Sequence, residues 1–260
     1  MIWIDTHVHV YLPEFDQDRR QVVDEALSAG VSHLLMPNVD SRTIGPLLEA
    51  AQEHPGVCLP MMALHPTSVK EDYETQLQEV EQWLAKGAFV AVGETGIDLY
   101  WDKTHFNEQV LAFRRHAELA LQYSLPLVIH SRNALEEIFE VVDDFRGSGL
   151  KGVFHCFPGD VQQAEKAIEL GFLLGIGGVV TYKNSNMASV VEHVGLQNII
   201  LETDAPYLAP VPHRGKRNQS SYIPLIGRKV AELTGASLGE TARITTKNAH
   251  SLFKKIKPND

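Results

Sequence analysis

The chain has 260 residues, of which 44% are hydrophobic and 22% are charged, a balance typical of a globular protein with a large core. Its net charge of −10 argues against a protein that binds nucleic acid over its whole surface, and no apolar run approaches the ~20 residues of a membrane span. Cys58 and Cys156 are the only cysteines, so we expect no disulfide scaffold and a cytoplasmic location.

Apolar, strand-like runs alternate with helical patterns along the whole chain. The predicted strands cover residues 2–4, 31–36, 57–64, 89–92, 126–129, 152–154, 172–176 and 198–201. The predicted helices cover residues 19–29, 43–53, 77–84, 108–123, 135–142, 161–168, 187–194, 222–233 and 238–253. Several strands are apolar without alternation, as expected for strands buried on both faces.

Eight strand–helix units predict an α/β protein, a (β/α)8 TIM barrel formed as one domain over residues 1–260. An open, doubly wound sheet is the alternative. No Gly-x-Gly-x-x-Gly turn follows the first strand, which favours the barrel. No separate interface motif is present, and a monomer is the simplest expectation.

Polar side chains stand at the ends of most of the predicted strands. They are His7, His9, His65, Glu94, His130, His155 and Asp204. Because the active sites of TIM barrels lie at the carboxyl ends of the strands, we expect these side chains to converge. His7 and His9 point to the same side of an extended segment and can share a metal ion. The whole set exceeds the needs of one tetrahedral ion and fits two divalent ions, such as zinc or manganese, that share a carboxylate.

Hydrolysis is the reaction class that such a site predicts. A divalent ion lowers the pKa of a bound water from 15.7 to about 7, and a nearby carboxylate can accept the proton. Spacing alone allows either Glu94 or Asp204 to be that carboxylate.

The segment of residues 205–231 contains no Asp or Glu, although it contains His213, Arg214 and Lys216. This local basic patch on an acidic protein favours an anionic ligand. A solvated loop with no ligand is the alternative.

Taken together and in order, these residues resemble those of the TatD family of metal-dependent hydrolases, within the amidohydrolase superfamily. The matching motifs are Ile-Asp-Thr-His-Val-His (4–9), Leu-His-Pro (64–66), Val-Gly-Glu-Thr-Gly-Ile-Asp (92–98), Leu-Val-Ile-His-Ser-Arg (127–132), His-Cys-Phe (155–157) and Leu-Glu-Thr-Asp-Ala-Pro-Tyr-Leu (201–208). The resemblance spans residue 4 to about residue 253.

The resemblance implies a barrel that holds two divalent ions per subunit, Mg²⁺, Mn²⁺ or Zn²⁺. By motif position one ion would be held by His7, His9 and Asp204. The other would be held by His130 and His155, with Glu94 bridging the two. Asp204 would also activate the attacking water.

The resemblance also implies a deoxyribonuclease that acts on DNA ends as a 3′-5′ exonuclease, with DNA or another phosphodiester as its partner and no membrane. His65 would face the substrate, while His213, Arg214 and Lys216 would neutralise its phosphates.

Two other functions remain open from the sequence. The same barrel and metals could serve a small-molecule amidohydrolase or lactonase, which the acidic composition favours. A non-catalytic metal-binding scaffold is the third hypothesis.

Two further residues have simple alternatives. We expect His116 to lie on a helix surface. Trp101 could either stack on a nucleobase or cap the barrel mouth.

Overall fold

Eight short strands form where the sequence is apolar, in a computed structural model that describes residues 1–257. The strands are β1 (Trp3–Asp5), β2 (Val31–Pro37), β3 (Cys58–Met61), β4 (Val92–Asp98), β5 (Leu127–Arg132), β6 (Gly152–Phe154), β7 (Phe172–Ile176) and β8 (Ile199–Leu201). Neighbouring strands pair in parallel, in two ladders of order β1-β2-β3 and β4-β5-β6-β7-β8.

Backbone hydrogen bonds join the two ladders into a closed barrel. Between β3 and the approach to β4, the Val90 amide donates to Pro60 O (3.0 Å) and the Met62 amide donates to Ala91 O (3.2 Å). Between β1 and β8, the Thr6 amide donates to Leu201 O at 3.1 Å. The (β/α)8 prediction is therefore confirmed. The predicted domain of residues 1–260 includes 258–260, which lie outside the described residues.

Helices follow the strands and cover the outside of the barrel. They are α1 (Arg19–Ser28), α2 (Ile44–Glu53), α3 (Tyr73–Leu84), α4 (Phe106–Tyr123), α5 (Leu135–Asp143), α6 (Val161–Glu169), α7 (Met187–Val194), α8 (Ile223–Thr234) and α9 (Leu238–Leu252). Within residues 1–257, no helix combines the length and the apolar character needed to cross a bilayer.

The barrel interior is filled from one end by apolar side chains. Ile4, Leu35, Val128 and Ile200 come from four different strands and form one buried cluster, which includes Phe253 just after α9. A second, larger core lies between the strands and the helices. The opposite end of the interior, at the carboxyl ends of the strands, is left for the polar side chains.

The main departure from the predicted elements is β4. The sequence places this strand at residues 89–92 and Glu94 beyond its end, but the strand runs over Val92–Asp98 and contains Glu94. Its polar residues are buried rather than solvated, because neighbouring strands and helices supply hydrogen-bond partners. For example, Asp98 Oδ2 lies 2.9 Å from Nε2 of His130 on β5.

Gly96 allows β4 to approach β5 closely. Its φ is +143°, and a Cβ at this position would collide with the carbonyl oxygen of His130. Only glycine combines this backbone geometry with so close a contact. The approach sets the carboxylate of Glu94 against the ring of His130.

Candidate metal centre

His7 and His9 follow the end of β1 and are fixed by backbone hydrogen bonds to the segment that follows β8. The His9 amide donates to Ala205 O (2.8 Å), and the Asp204 amide donates to His7 O (2.9 Å). The Nε2 atoms of His7 and His9 lie 3.3 Å apart. Closure of the barrel between β8 and β1 therefore brings Asp204 beside the two histidines.

A buried carboxylate, Asp5, fastens this junction. Its Oδ1 accepts from the amides of His7 (3.3 Å) and Thr203 (2.9 Å), and its Oδ2 accepts from the Thr203 hydroxyl (2.6 Å). Burial raises the pKa of Asp5 to about 7, although the hydrogen bonds from Thr203 act in the opposite direction. Asp5 thereby links the segment of His7 and His9, just after β1, to the turn that carries Asp204.

Glu94 lies at the centre of the site, with only 3% of its side chain exposed. Its Oε2 is 3.1 Å from His7 Nε2 and 3.7 Å from His9 Nε2. Its Oε1 faces the opposite side, where three other imidazoles lie. These are His130 (Nδ1 at 2.9 Å), His65 (Nε2 at 3.4 Å) and His155 (Nε2 at 3.7 Å). The two carboxylate oxygens are thus shared between two groups of histidines.

His130 is held between two carboxylates. Its Nδ1 faces Glu94, while its Nε2 lies 2.9 Å from Asp98 Oδ2. Burial acts to lower the pKa of His130, but the hydrogen bonds to Asp98 and Glu94 outweigh it and raise the pKa. With Nε2–H given to Asp98, Nδ1 is the ring atom left to bind a metal.

His155 stacks on His7, with ring centroids 3.4 Å apart, and its Nε2 lies 3.7 Å from Asp204 Oδ1. Its Nδ1 lies 2.9 Å from Glu202 Oε1 but is not aligned for a hydrogen bond. Burial opposes protonation, yet Glu202, Glu94 and Asp204 raise the pKa of His155 to about 10. Because metal ligands must be unprotonated, an ion entering the site has to displace this proton.

His155 lies near both groups of potential ligands. Its Nε2 is 3.7 Å from Glu94 Oε1, the oxygen that faces His130, and it also forms a triad with His7 and Asp204. His65, expected to face substrate, forms a triad with Glu94 and His130. Within each triad the potential ligand atoms lie within 4.8 Å of one another. The roles given to these residues from the sequence remain predictions.

The donor set fits a divalent cation. Around His7, imidazole nitrogens and carboxylate oxygens face one another at 3.1–3.9 Å, which is more potential ligand atoms than the ring proton of one imidazole can satisfy. Burial alone would raise the pKa of Glu94, but the charges of His7, His65 and His155 hold it well below its usual range. A cation satisfies such a set of buried nitrogen and oxygen donors.

The side chains of His213, Arg214 and Lys216 form no hydrogen bond or ion pair with this cluster within residues 1–257. The His213 ring stacks on Tyr222 with centroids 4.2 Å apart, and the Arg214 guanidinium lies 4.4 Å from the centre of the Tyr182 ring. Lys216 is exposed and makes no ion pair with any residue of 1–257. None of the three contacts a candidate metal ligand in the described part of the chain, so their role in substrate binding remains a prediction.

Sequence reasoning missed three residues whose side chains lie against the rings of candidate ligands. Asp98 and Glu202 contact ligand histidines, and the Tyr11 hydroxyl lies 3.1 Å from His9 Nδ1. Each is two or four residues from a predicted ligand along an extended segment, a spacing that could have revealed it. His116, expected at the surface, is instead fully buried, and that expectation is wrong.

Comparisons with known proteins agree with this picture. A family model described as TatD related DNase matches residues 4–254. An uncharacterized metal-dependent hydrolase of Bacillus subtilis, YabD, is 33% identical over 251 residues, which is 96% of this chain and 98% of the relative. A Pectobacterium parmentieri protein named 3′-5′ ssDNA/RNA exonuclease TatD is 29% identical over 256 residues, 96% of this chain and 98% of its own length.

Among solved structures, the Escherichia coli TatD homologue YjjV superposes with a TM-score of 0.90 at 29% identity, covering 97% of this chain and 98% of that protein. The similarity extends over the whole barrel, including every strand that carries a residue of the cluster. The donor set described above and the relatives named as metal-dependent hydrolases support a metal cofactor.

Proposed function

Because the chain belongs to the TatD family of metal-dependent hydrolases, we propose that it is a deoxyribonuclease that removes nucleotides from DNA ends in the 3′-to-5′ direction. The observation that carries this proposal is the position of the buried Glu94, whose two oxygens face two different groups of imidazoles. Asp204, a second carboxylate in the cluster, is more accessible to solvent than Glu94. The family description as a DNase and the name of the Pectobacterium relative support the choice of substrate.

Two divalent ions, Mg²⁺ or Mn²⁺, are the cofactors in this proposal. His7, His9 and Asp204 would hold one ion, with His155 close enough to contribute to it. His130 Nδ1 and His65 Nε2 would hold the other. Glu94, whose two oxygens face one group each, would contribute to holding both ions.

When bound, the ions supply Lewis-acid polarisation of the phosphate and lower the pKa of a water. The protein's own contribution is to place a base next to that water. Asp204 fits this role better than Glu94, because 16% of its side chain is exposed against 3% for Glu94. His9 and His155, both near Asp204 Oδ1, hold its pKa below the usual range despite burial, so Asp204 is in the carboxylate form that a general base requires.

Substrate phosphates would reach the site across the carboxyl ends of the strands. We assign initial binding to the basic loop, with His213, Arg214 and Lys216 contributing long-range attraction rather than direct contact with the reacting group.

The decisive experiment is cleavage of 5′-end-labelled single-stranded DNA in Mg²⁺, Mn²⁺ or EDTA. Wild-type protein should shorten the strand progressively from its 3′ end in either metal and leave it intact in EDTA. Asp204→Asn should lower the rate by at least about 100-fold, since general-base catalysis typically contributes that much. Asp143→Asn, which changes an exposed carboxylate at the end of helix α5, is the matched control and should behave like the wild type.

Intact DNA in every metal, from protein shown to contain metal, would refute the nuclease proposal. Hydrolysis of small amides or lactones at the same site would then be the function to test, which the net charge of −10 favours.

A further inference from the structure

Two large aromatic side chains stand exposed at the barrel mouth, directly after β4. Tyr100 is 54% exposed and Trp101 is 68% exposed. Their rings meet edge to face, with centroids 4.9 Å apart. Arg132, the last residue of β5, places its guanidinium 3.9 Å from the centre of the Tyr100 ring and 5.2 Å from that of Trp101. An arginine and two aromatic rings therefore form one continuous surface.

This surface is attached to the metal centre through a single carboxylate. Asp98 Oδ1 accepts from the amides of Tyr100 (2.9 Å) and Trp101 (3.2 Å), while Asp98 Oδ2 lies against His130 Nε2. The Leu99 amide also donates to Arg132 O at 2.9 Å. The exposed turn is thus fixed relative to a predicted metal ligand rather than left to move with the solvent.

Structural packing does not account for this arrangement. Trp101 buries little of its surface, so it contributes little hydrophobic stabilisation. Meanwhile Asp98, only 2% exposed, uses one of its two oxygens to hold the backbone of the exposed turn. Lys103 follows in the same turn, is exposed, and forms no ion pair within residues 1–257. The surface therefore combines open aromatic faces with positive charge.

Unpaired nucleobases are the ligands that suit such a surface. A base stacks on an aromatic ring with a free energy of about 1–3 kcal/mol, and an arginine alongside adds a cation–π contribution and attracts the phosphate. A paired base inside a duplex has both faces covered by its neighbours and cannot reach the ring without unstacking. The location beside the metal centre places such a base next to the bond to be cleaved.

We propose that Tyr100, Trp101 and Arg132 form a stacking platform for an unpaired nucleobase at the end of the strand that the enzyme cleaves. This inference rests on the proposed nuclease function and deepens it, because it makes single strands and frayed ends the preferred substrates. Of the two alternatives open for Trp101 from the sequence, it selects base stacking over capping of the barrel.

The test combines a protein change with a substrate change. Wild type, Trp101→Ala and Trp101→Phe are assayed on single-stranded DNA whose 3′-terminal nucleotides carry bases and on a matched strand with abasic residues there. On the normal strand, Trp101→Ala should raise KM by about 5- to 150-fold with kcat little changed, and Trp101→Phe should retain most of the affinity. On the abasic strand, wild type and Trp101→Ala should have the same KM. Trp83→Phe, a tryptophan change on helix α3, is the control and should have no effect on either strand.

A second readout does not depend on cleavage. The protein has three tryptophans, of which Trp3 is 2% exposed, Trp83 is partly buried and Trp101 is 68% exposed. Titration with oligothymidylate in EDTA should therefore quench the fluorescence of wild type and of Trp83→Phe but not that of Trp101→Ala.

The outcomes separate the two proposals. If wild type cleaves DNA but Trp101→Ala loses the same affinity on normal and abasic strands, the platform is refuted and the nuclease stands. If wild type cleaves no DNA, the nuclease proposal fails and the fluorescence titration decides the platform: quenching that depends on Trp101 supports it, and unchanged fluorescence refutes it.

Discussion

His116 lies behind the metal centre and should make the stability of the protein depend on pH in a defined way. Its ring is fully buried within helix α4. The Leu64 amide donates to its Nε2 at 3.1 Å, and its Nδ1 lies 2.9 Å from the Thr95 hydroxyl. Because Nε2 accepts a hydrogen bond, we infer that the ring is neutral with its proton on Nδ1. It supports the backbone just before His65 and just after Glu94.

Burial lowers the pKa of His116 to about 4 from its ordinary value of 6.5. Between these values the unfolded chain binds a proton that the folded protein does not, so the stability contributed by this residue is full above about pH 7 and falls as the pH drops. Between pH 7 and pH 5 the expected loss is about 2 kcal/mol, at 1.36 kcal/mol for each pH unit over which only the unfolded state is protonated. Below about pH 4 both states are protonated and the loss levels off.

The assay is urea denaturation at pH 7 and pH 5 in EDTA, for wild type and for His116→Gln, whose amide can still accept a hydrogen bond. Other groups titrate equally in both proteins, so wild type should lose about 2 kcal/mol more than the variant over this interval. If the variant does not fold, NMR titration of the wild-type ring provides the same information. Equal losses in the two proteins, or a folded-state pKa near 6.5, would show that the ring is not held neutral by burial.

Three further changes probe the site and its scaffold. Asp98→Asn should weaken Mn²⁺ binding by about 10- to 100-fold in calorimetric titration, because it removes the carboxylate that orients His130; undiminished affinity would argue against that role. Gly96→Ala should lower the free energy of unfolding by about 3 kcal/mol, because it combines a positive φ with a backbone collision. Gly147→Ala, whose Cβ meets open space, should lower it by only about 1 kcal/mol. Equal losses would contradict the close approach of β4 to β5. EDTA should lower the melting temperature of wild type but not that of Glu94→Gln, and a decrease of the same size in both would place the stabilising metal elsewhere.

The fold could be predicted from the sequence because its signals are local and repeated. Each strand is a short apolar run followed by a helical pattern, and eight repeats leave few architectures. Local patterns misplace strand boundaries where buried residues are polar. They predict that β4 ends too early because Glu94 and Asp98 look like residues that end a strand, whereas both are buried against His130 of the neighbouring strand β5.

The sequence predicts which residues belong to the site but not how their side chains are oriented towards one another. The strand ends identify which side chains face the mouth, but ring orientation depends on contacts between distant segments. His155 stacks on His7, and His65 approaches Glu94, through the curvature of the barrel, which a linear pattern does not encode. His116 was missed for a related reason: its neighbours on α4 are arginines, and only the tertiary contact with Leu64 reveals its burial.

The most direct test is anomalous diffraction from crystals soaked in Mn²⁺, which locates the ions without relying on activity. We expect two peaks on opposite sides of the Glu94 carboxylate, about 2–2.5 Å from their ligand atoms. One should lie by His7, His9 and Asp204, and the other by His130. Wild-type crystals with no peak at the barrel mouth, or with manganese bound only away from Glu94, would contradict the assignment of this cluster as the catalytic metal centre.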